Sequence, residues 1–597
     1  MFVFALGLLA LSFWLMFHTF YILDGQLMIS EKIWSDYGAH IPLIRSFSFG
    51  KNWPPEYPIY PGPPIQYHFL FYYFVALMEK SGWPLDLSLN FLSGLGFFAM
   101  VFGLYVLGTS LYSDRRVGFL AVIFFLLNGS LAFFSYFQKH PIRWQSFGAD
   151  FRDLLHRSDF TAMGPWDGGP VIGFWNLNVY LNQRHFVLAL GILLLFLACL
   201  IRFEEMKPKL RWLTTLLFTV LFGIMPLLNK PVCLMAGLFA ATCFIGFPKM
   251  RRHLAVLGGG VLAFMAAEFF FGLNVGGDGN IKWYVGFTSH NQGFWSAVQF
   301  WIWNWGLHVF LIPIGFYLAP RRVKIMLFPI FPLFALSVLV KLSAEILNNH
   351  KLFNLVLMLG GILSAASLVC AYDRLKHGPR TWLRPLRFAG LPIVLLMTLS
   401  GIVDVTAIVN DHAVAIADVE MNPAANWLLQ NTQPNDVVLN SSYMYHPASL
   451  AGRKIFVGWS FFVFSAGYDF SSRARIAQTI YSSRSPDVFC PLLQQNRIAY
   501  LTVEDTSQDR NLPPIDHLYF STHFTPEYSD ARMAIYATAR LCGPVASAEV
   551  PRAPTWAVPP TLRGASSNQI ARTEIYRPLA ALQLSTALYT DRPACVF

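Results

Sequence analysis

Residues 34–68 read WSDYGAHIPLIRSFSFGKNWPPEYPIYPGPPIQYH and follow the first apolar segment of the chain. The ionisable side chains of this stretch include Asp36, His40, Arg45, Glu56 and His68. The density of prolines and glycines favours turns and predicts that no long helix forms here. A carboxylate just beyond a membrane helix, followed by an ordered proline-rich loop, predicts a reaction site at the membrane surface. The alternative is a solvated connecting loop that contains an acid.

The composition of the chain predicts a polytopic α-helical membrane protein. Of its 597 residues, 55% are hydrophobic and 13% are charged, and the mean hydropathy is +0.45. Apolar runs of about 20 residues recur, which is the length needed to cross a bilayer core. The net charge of +11 falls largely in short loops between these runs. Membrane topology therefore explains the charge better than nucleic-acid binding does, and no nucleic-acid partner is predicted.

The distribution of basic residues predicts the orientation of the spans. Arg115 and Arg116 lie between two apolar segments and are expected in the cytoplasm. The large loops 24–86 and 138–184 then lie outside, where 67–82 is predicted to form an interfacial helix that is too short to cross. Alternation predicts about 11 spans, a cytoplasmic N-terminus and an outer C-terminus. The predicted spans are 2–23, 87–111, 117–137, 185–201, 212–228, 231–247, 254–272, 295–319, 325–343, 352–372 and 388–408.

The predicted membrane domain covers 1–408, and a change in composition starts a second domain, 409–597. In the second domain, 436–442 and 497–504 are typical of strands, whereas 422–432 and 472–481 are typical of helices. This alternation predicts an extracytoplasmic α/β domain with an irregular or β-rich tail from about residue 550. Three cysteines fall in this domain, and at most one pair of them can form a disulfide. They are Cys490, Cys542 and Cys595.

Five polar clusters fall on the predicted outer side, and their convergence is the main evidence for a site. Ionisable groups at a membrane boundary are costly unless they are paired, hydrated or used. Besides 34–68, the clusters are 139–185 with Asp150, Asp153, Asp159 and Asp167; Asn229-Lys230; 274–295 with Lys282, His290 and Asn291; and 345–351.

These clusters suggest a chemistry in which Asp36 takes a proton from a hydroxyl nucleophile. Arg184, Lys230 or Lys351 could then hold a phosphate leaving group. The alternative for each basic residue is an anchor at the membrane interface. An oxygen-ligated divalent cation, Mg²⁺ or Mn²⁺, between Asp36 and an acid of 150–167 is left open. Motifs for a phosphate-binding loop, a zinc protease or a serine hydrolase do not occur in the sequence.

The pattern of the first outer loop resembles the GT-C superfamily of integral-membrane glycosyltransferases, which use polyprenyl-phosphate-linked sugars. The matching residues are Asp36, Gly50 and the run Pro63-Pro64-Ile65-Gln66-Tyr67, together with the Arg115-Arg116 turn. Tyr37 stands where an acid often follows in that superfamily. The resemblance implies that Asp36 is the catalytic base and that one acid of the second loop assists it or binds a metal. The first candidates for this acid are Asp150 and Asp153, followed by Asp159 and Asp167.

The chain also resembles uncharacterised bacterial GT-C-like proteins that carry a D-N-T-K-like outer motif and an exported α/β tail. Here the motif reads Asn348-Asn349-His350-Lys351, so that Asn349 and Lys351 match. The resemblance implies a protein of the bacterial inner membrane that binds membrane lipid. The predicted substrate-binding residues are His40, Arg45, Tyr67, Arg184, His185, Lys230, Asn349 and Lys351.

The predicted function is therefore transfer of a sugar from a polyprenyl-phosphate-linked donor to a hydroxyl-bearing acceptor on the outer face. Two alternatives come from other classes of protein. A transporter or flippase of a lipid-linked saccharide would place ionisable groups near the bilayer midplane. Glu268, inside a predicted span but near its outer end, is the residue that could support this alternative. The second alternative is a scaffold whose exported tail binds a partner. It would not explain why five polar clusters fall on the same side of the membrane.

Overall fold

The computed structural model of the protein describes residues 2–273, 281–288, 293–377, 381–506 and 514–543. His290, Asn291, Cys595 and the predicted tail from about residue 550 lie outside these ranges. The chain divides into two compact units. Unit 1 comprises the chain up to Tyr37 and Ile65–Ala415, and unit 2 comprises Gly38–Pro64 and the chain from Ile416 onward. The proline-rich part of the first loop thus belongs to unit 2.

Unit 1 is almost entirely helical. Its helices are α1 (Phe2–Thr19), the first turn of α2 (Trp34–Ser48), α3 (Leu70–Lys80), α4 (Leu85–Tyr112), α5 (Arg115–Leu126), α6 (Ala132–Lys139), α7 (Phe147–His156), α8 (Asn178–Asn182), α9 (Arg184–Ile201), α10 (Pro208–Gly223), α11 (Met225–Gly246), α12 (Arg251–Phe270), α13 (Phe294–Trp305), α14 (His308–Leu318), α15 (Arg321–Leu327), α16 (Ile330–Leu339), α17 (His350–His377), α18 (Gly390–Leu396) and α19 (Leu399–Val409). Its short strands are β1 (Phe20–Leu23), β2 (Gln26–Ser30), β5 (Lys282–Trp283) and β6 (Val340–Lys341).

The prediction of a polytopic helical membrane protein is confirmed, but the count of 11 spans is not. In the described part of the chain, 8 helical stretches are long and apolar enough to cross a membrane, or 9 if α13 and α14, which meet at 88°, form one broken span. Two predicted spans correspond to shorter helices. α10 has 16 residues, which is about 24 Å of helix against a core of about 30 Å. α5 ends after 12 residues.

The early end of α5 has a polar cause. Asn128 follows it, and the Asn128 amide donates a 2.6 Å hydrogen bond to the Asp404 carboxylate of α19. The amide oxygen of Asn128 also accepts hydrogen bonds from the backbone N–H and the hydroxyl of Ser130, at 3.2 and 2.7 Å. Side chains that bond to the local backbone in this way compete with helix continuation. The chain therefore turns before α6 begins.

Small residues allow the central helices of unit 1 to pack closely. α4 packs along α9, and a Cβ at Gly96 of α4 would lie 2.9 Å from the Leu188 Cα of α9. A Cβ at Gly191 of α9 would lie 3.0 Å from the carbonyl oxygen of Gly96. Glycines at such contacts let two membrane helices approach to backbone distance.

The prediction that residues 34–68 form no long helix is wrong for the first half of the stretch. Residues 34–48 form the 15-residue helix α2, with Pro42 inside it. One internal proline removes a single backbone donor, and the other prolines cluster after Trp53. That second half forms the hairpin of β3 (Glu56–Tyr57) and β4 (Tyr60–Pro64). The short helix α3, 11 residues long, confirms that 67–82 contains a helix too short to cross.

Unit 2 is an α/β domain, as predicted. Its helices are the rest of α2, α20 (Pro423–Asn431), α21 (Pro447–Leu450), α22 (Ser460–Ser465), α23 (Phe470–Ser482), α24 (Pro486–Gln495), α25 (His517–His523) and α26 (Thr538–Leu541). Its further strands are β7 (Ala413–Ala417), which begins in unit 1, β8 (Val437–Leu439), β9 (Lys454–Ile455), β10 (Ile498–Glu504), β11 (Tyr528–Ser529) and β12 (Met533–Ala537).

The main sheet of unit 2 has the order β11-β12-β10-β8-β9. β8 runs parallel to β9 and β10, and β12 runs antiparallel to β10 and β11. The hairpin β3–β4 joins this unit because the backbone N–H groups of Ile455 and Gly458 donate to the carbonyls of Pro58 and Ile59, at 2.9 and 2.8 Å. A disulfide joins Cys490 of α24 to Cys542.

Candidate functional site

The charges of Asp36 and Lys351 act on each other within unit 1. Asp36 lies in the first turn of α2 and is half-buried, whereas Lys351 is the second residue of α17 and is buried. Burial raises the pKa of Asp36 to about 6, and the positive charge of Lys351 opposes part of that rise. Within the described ranges, neither side chain forms a hydrogen bond or ion pair with another side chain. The N-terminus of α17 adds positive potential beside Lys351.

A chain of tyrosines and histidines lies next to this pair. The Nε2 atoms of His68 and His185 are 2.6 Å apart, and the His185 Nδ1 atom is 2.8 Å from the Tyr72 hydroxyl. Tyr67 stacks on His68 with ring centroids 3.9 Å apart. Burial raises the pKa of Tyr67, and the negative charge of Asp36 raises it further. The structure thus brings the predicted residues Tyr67 and His185 together, with ring centroids 5.9 Å apart, and the charge of Asp36 acts on Tyr67.

Three residues that the sequence did not single out contact His350 at the start of α17. They are Gln183, Asn354 and Phe174. His350 is buried, and its Nε2 and Nδ1 atoms lie 3.1 Å from the side-chain amide nitrogens of Gln183 and Asn354. Phe174 stacks on the His350 ring at 4.5 Å. Because His350 precedes Lys351, these contacts hold the first turn of α17, which carries the lysine. A histidine inside the D-N-T-K-like motif was the only sequence signal for this network.

Asn349 also orients the start of α17. Its side-chain oxygen accepts a hydrogen bond from the Leu342 backbone N–H at 3.3 Å. Its amide nitrogen donates to the carbonyls of Ser337 and Val340 at 2.9 and 2.7 Å. These bonds tie the segment between α16 and α17 into a compact turn. The predicted contact of Asn349 with substrate stays a prediction.

Arg184 lies in the protein interior, where it joins three helices. Its guanidinium donates to the Asn90 side chain of α4 and to the Met16 carbonyl and Thr19 hydroxyl of α1, the last two at 3.2 and 3.1 Å. It also lies over the ring of Tyr37, 5.4 Å from the centroid. Since Tyr37 follows Asp36, Arg184 supports the first turn of α2. The predicted phosphate contact of Arg184 stays a prediction.

Lys230 marks the charged end of a large apolar groove. α11 is broken at Asn229, whose backbone leaves the helical region with φ −166° and ψ 102°. The neighbouring Lys230 Nζ donates to the Gln66 carbonyl at 3.2 Å. The groove measures about 1070 Å³, runs between α10, α11, α12 and α16, and has Lys230 as the one charged side chain in its described lining.

The acids predicted to assist Asp36 lie on the exposed helix α7 and are bonded locally. Asp150 accepts hydrogen bonds from the Arg143 backbone N–H and the Ser146 hydroxyl, each at 2.8 Å, and these bonds lower the pKa of Asp150. Asp153 forms a 2.7 Å ion pair with Arg157. Neither acid is brought into contact with Asp36, and their catalytic roles stay predictions.

His40 and Arg45 lie in unit 2, in the later turns of α2. Arg45 forms a 2.7 Å ion pair with Asp418 and lies over the Phe49 ring, 4.3 Å from its centroid. His40 is buried. Their predicted contacts with substrate stay predictions.

The described residues do not fit a metal site. Across those ranges, no group of three or more His, Cys, Asp and Glu side chains is arranged to hold a metal ion. The charge that acts on Asp36 is that of a lysine. We therefore derive no step through Mg²⁺ or Mn²⁺, and the metal dependence stays untested.

The chain matches no protein-family model and no curated protein sequence, but its fold is similar to that of solved membrane glycosyltransferases. Arabinofuranosyltransferase AftD from Mycobacteria aligns with a TM-score of 0.50 at 16% identity, over 90% of this chain and 41% of that one. ArnT from Cupriavidus metallidurans, bound to undecaprenyl phosphate, aligns with a TM-score of 0.47 at 11% identity, over 91% and 99%. The Archaeoglobus fulgidus oligosaccharyltransferase, tethered to an acceptor peptide, aligns with a TM-score of 0.46 at 13% identity, over 85% and 69%.

The similarity to the arabinofuranosyltransferase shows the fold of the protein. The chain is an integral membrane protein with the GT-C fold, and it spans about two fifths of the length of the arabinofuranosyltransferase that it matches. The resemblance predicted from residues 34–67 is thereby confirmed at the level of the fold.

Proposed function

We propose that the protein is a GT-C-type glycosyltransferase. It moves a sugar from a polyprenyl-phosphate-linked donor to a hydroxyl group of an acceptor on the outer face of the membrane that it spans. One observation carries the proposal: a half-buried carboxylate, Asp36, and a buried lysine, Lys351, interact electrostatically without forming an ion pair. A carboxylate and a cation that are both available to a ligand are the groups needed to activate a hydroxyl and to stabilise a leaving phosphate.

The reaction follows from the charges of these groups. The acceptor oxygen attacks the anomeric carbon of the donor sugar and forms the new C–O bond. The bond from that carbon to the phosphate oxygen breaks, and its electron pair leaves with the polyprenyl phosphate. The proton of the acceptor hydroxyl passes to Asp36. A base with a pKa of about 6 is mostly ionised at neutral pH and is still basic enough to accept that proton.

The groove between α10, α11, α12 and α16 would hold the lipid part of the donor. Its volume of about 1070 Å³ and its apolar lining suit an isoprenoid chain, whose affinity comes from apolar burial. Lys230 then lies where the chain meets its phosphate, and an ammonium group is a suitable partner for that charge.

The disulfide of unit 2 supports an outer location for this unit. Cys490 and Cys542 are joined, and such bonds persist outside the cytoplasm. The basic residues of the predicted inner loops support the same orientation. We therefore propose that unit 2 lies outside a bacterial inner membrane, where the tail would help to present the acceptor.

Mass spectrometry of lipid that copurifies with the full-length protein tests the donor class. We expect a polyprenyl phosphate or its glycosylated form, in an amount that falls in Lys230→Ala. Transfer is then assayed with that donor and membrane extracts as the source of acceptor, and Asp36→Asn should abolish it. Purified protein that carries no such lipid, or full transfer by Asp36→Asn, would contradict the proposal.

A flippase for a lipid-linked saccharide is the second candidate, because of one buried acid. Glu268 lies within α12 and is 6% exposed, and it interacts electrostatically with Lys230 at the groove. Buried ionisable groups within a span are typical of transport pathways. Movement of a fluorescent lipid-linked saccharide across proteoliposomes, abolished by Glu268→Gln and unchanged by Asp36→Asn, would favour this candidate over the transferase.

A further inference from the structure

A second, smaller pocket in unit 1 differs in chemistry from the apolar groove. It measures about 390 Å³. The turn of residues 164–172 forms one wall, and α13 forms the other through Ser296, Gln299, Phe300 and Trp303. None of the residues assigned above to the base, the phosphate or the lipid lines this pocket.

The turn that forms the first wall is held in place from both sides. The Asn304 amide of α13 donates to the Pro170 carbonyl at 3.0 Å, and its oxygen accepts from the Ile172 backbone N–H at 2.9 Å and from the Trp175 indole at 2.7 Å. Asp167 closes the turn by accepting from the backbone N–H groups of Met163 and Gly169, each at 2.8 Å. A wall held by so many bonds is formed before any ligand arrives, which reduces the entropic cost of binding.

The lining of this pocket suits an uncharged ligand with many hydroxyl groups. The described lining contains no charged side chain. It offers a hydroxyl from Ser296 and an amide from Gln299, and within the described residues neither side chain has a hydrogen-bond partner. Phe300 and Trp303 add aromatic rings, whose faces pack against the C–H groups of a sugar ring. Aromatic rings with a few polar groups are typical of sites for small molecules, and the volume falls in their usual range.

The chain connects this pocket to the proposed reaction centre. Ile172 lines the pocket, and Phe174, two residues later, stacks on His350 beside Lys351. Two residues span at most about 7 Å of chain. A ligand bound against the turn therefore lies close to the groups that would act on it.

We propose that the pocket between residues 164–172 and α13 binds a neutral saccharide unit and that this unit belongs to the acceptor. The assignment of this saccharide to the acceptor rests on the proposed function, whereas the binding of a saccharide does not. The acceptor hydroxyl would come from a glycan, and the neighbouring sugar would be held by Ser296 and Gln299.

The test is binding of the purified full-length protein, labelled in detergent, to an array of neutral and anionic oligosaccharides. We expect neutral glycans to be retained and their anionic counterparts not to be retained. Ser296→Ala and Gln299→Ala, which remove a half-buried and an exposed polar group, should each weaken binding about tenfold, as the loss of one hydrogen bond does. Trp295→Ala is the matched control, since Trp295 lies on the same helix, is 78% exposed and does not line the pocket.

The outcomes separate this proposal from the proposed function. Retention of no neutral glycan, equal retention of anionic glycans, or unchanged binding by both pocket variants would each overturn it. If glycans bind through Ser296 and Gln299 but the protein transfers no sugar, the saccharide site stands and the transferase assignment fails.

Discussion

Asp36 and Lys351 begin two helices that are more than 300 residues apart in the chain, and the charge of each acts on the other without an ion pair between them. A closed ion pair would hold both groups in the ground state and would lower the basicity of the carboxylate. In the absence of that pair, burial raises the pKa of Asp36 to about 6, and the Lys351 ammonium group remains for a ligand anion.

Replacement of Asp36 tests its assignment as the base. We expect Asp36→Asn to reduce transfer at least about 100-fold, because general-base assistance contributes that much or more. Initial rates with the copurified donor measure the change. Asp487→Asn is the matched control, because Asp487 is exposed on α24 in unit 2. A rate within a factor of two of the wild-type rate would remove Asp36 from this role.

The pH dependence of transfer should report Asp36. Only the ionised carboxylate can accept a proton, so the rate should rise with pH through about 6, the pKa of Asp36. The charge of Lys351 lowers this pKa. Lys351→Met should therefore move the rising limb of the profile to higher pH, in addition to lowering the maximum rate. If the rising limb of the Lys351→Met profile stayed in place or moved to lower pH, a group other than Asp36 would control the pH dependence of the rate.

The ionised form of Asp36 should also destabilise the folded protein at neutral pH. Burial raises the pKa of Asp36 in the folded protein to about 6, above the ordinary value of 3.8 for an aspartate. The unfolded chain therefore binds fewer protons than the folded protein between these values, and the stability should fall as pH rises through this window. Asp36→Asn removes the cost, so its thermal unfolding midpoint in detergent at pH 7.5 should exceed that of the wild-type protein. Equal midpoints at pH 7.5 would contradict the desolvation of Asp36.

Arg184 should matter chiefly for stability. Arg184→Gln loses the hydrogen bonds to α1 and α4 and leaves the buried Asn90 oxygen without its donor. A loss of several kcal/mol is typical when one partner of a buried charged network is removed, so the midpoint should fall clearly. Copurified lipid per folded protein should change little. A stable variant that loses the lipid would instead confirm the predicted phosphate contact of Arg184.

The disulfide gives a prediction about unit 2 and its location. The Cys490–Cys542 bond closes a loop of 52 residues, and cross-links of this size stabilise by about 4 kcal/mol in the chain-entropy description. Cys490→Ser with Cys542→Ser should therefore unfold unit 2 at lower denaturant concentration. On intact cells that carry a variant whose other five cysteines are serine, Cys490 and Cys542 should react with a membrane-impermeant alkylating reagent only after reduction. Reaction without reduction would contradict an outer location.

The sequence alone was sufficient for the class of the protein, because hydropathy and basic loops are summed along the chain and need no knowledge of contacts. Asp36 was predicted as a site residue because it is an acid beside a membrane helix in a stretch of unusual composition. The count of spans failed where a polar residue ended a helix early, as Asn128 does by bonding to Asp404. That bond joins residues 276 positions apart, and no local pattern shows it.

Tertiary structure decided which groups surround each polar residue. Arg184, Lys230 and Lys351 look equivalent in sequence, since each is a basic residue near a helix end. Folding places Arg184 among protein acceptors, Lys230 at an apolar groove and Lys351 where its charge acts on Asp36. Composition and periodicity determine which segments enter the membrane, because burial of apolar surface depends on each segment by itself. The partners of a buried charge depend on segments that meet only after folding, and only the three-dimensional arrangement shows them.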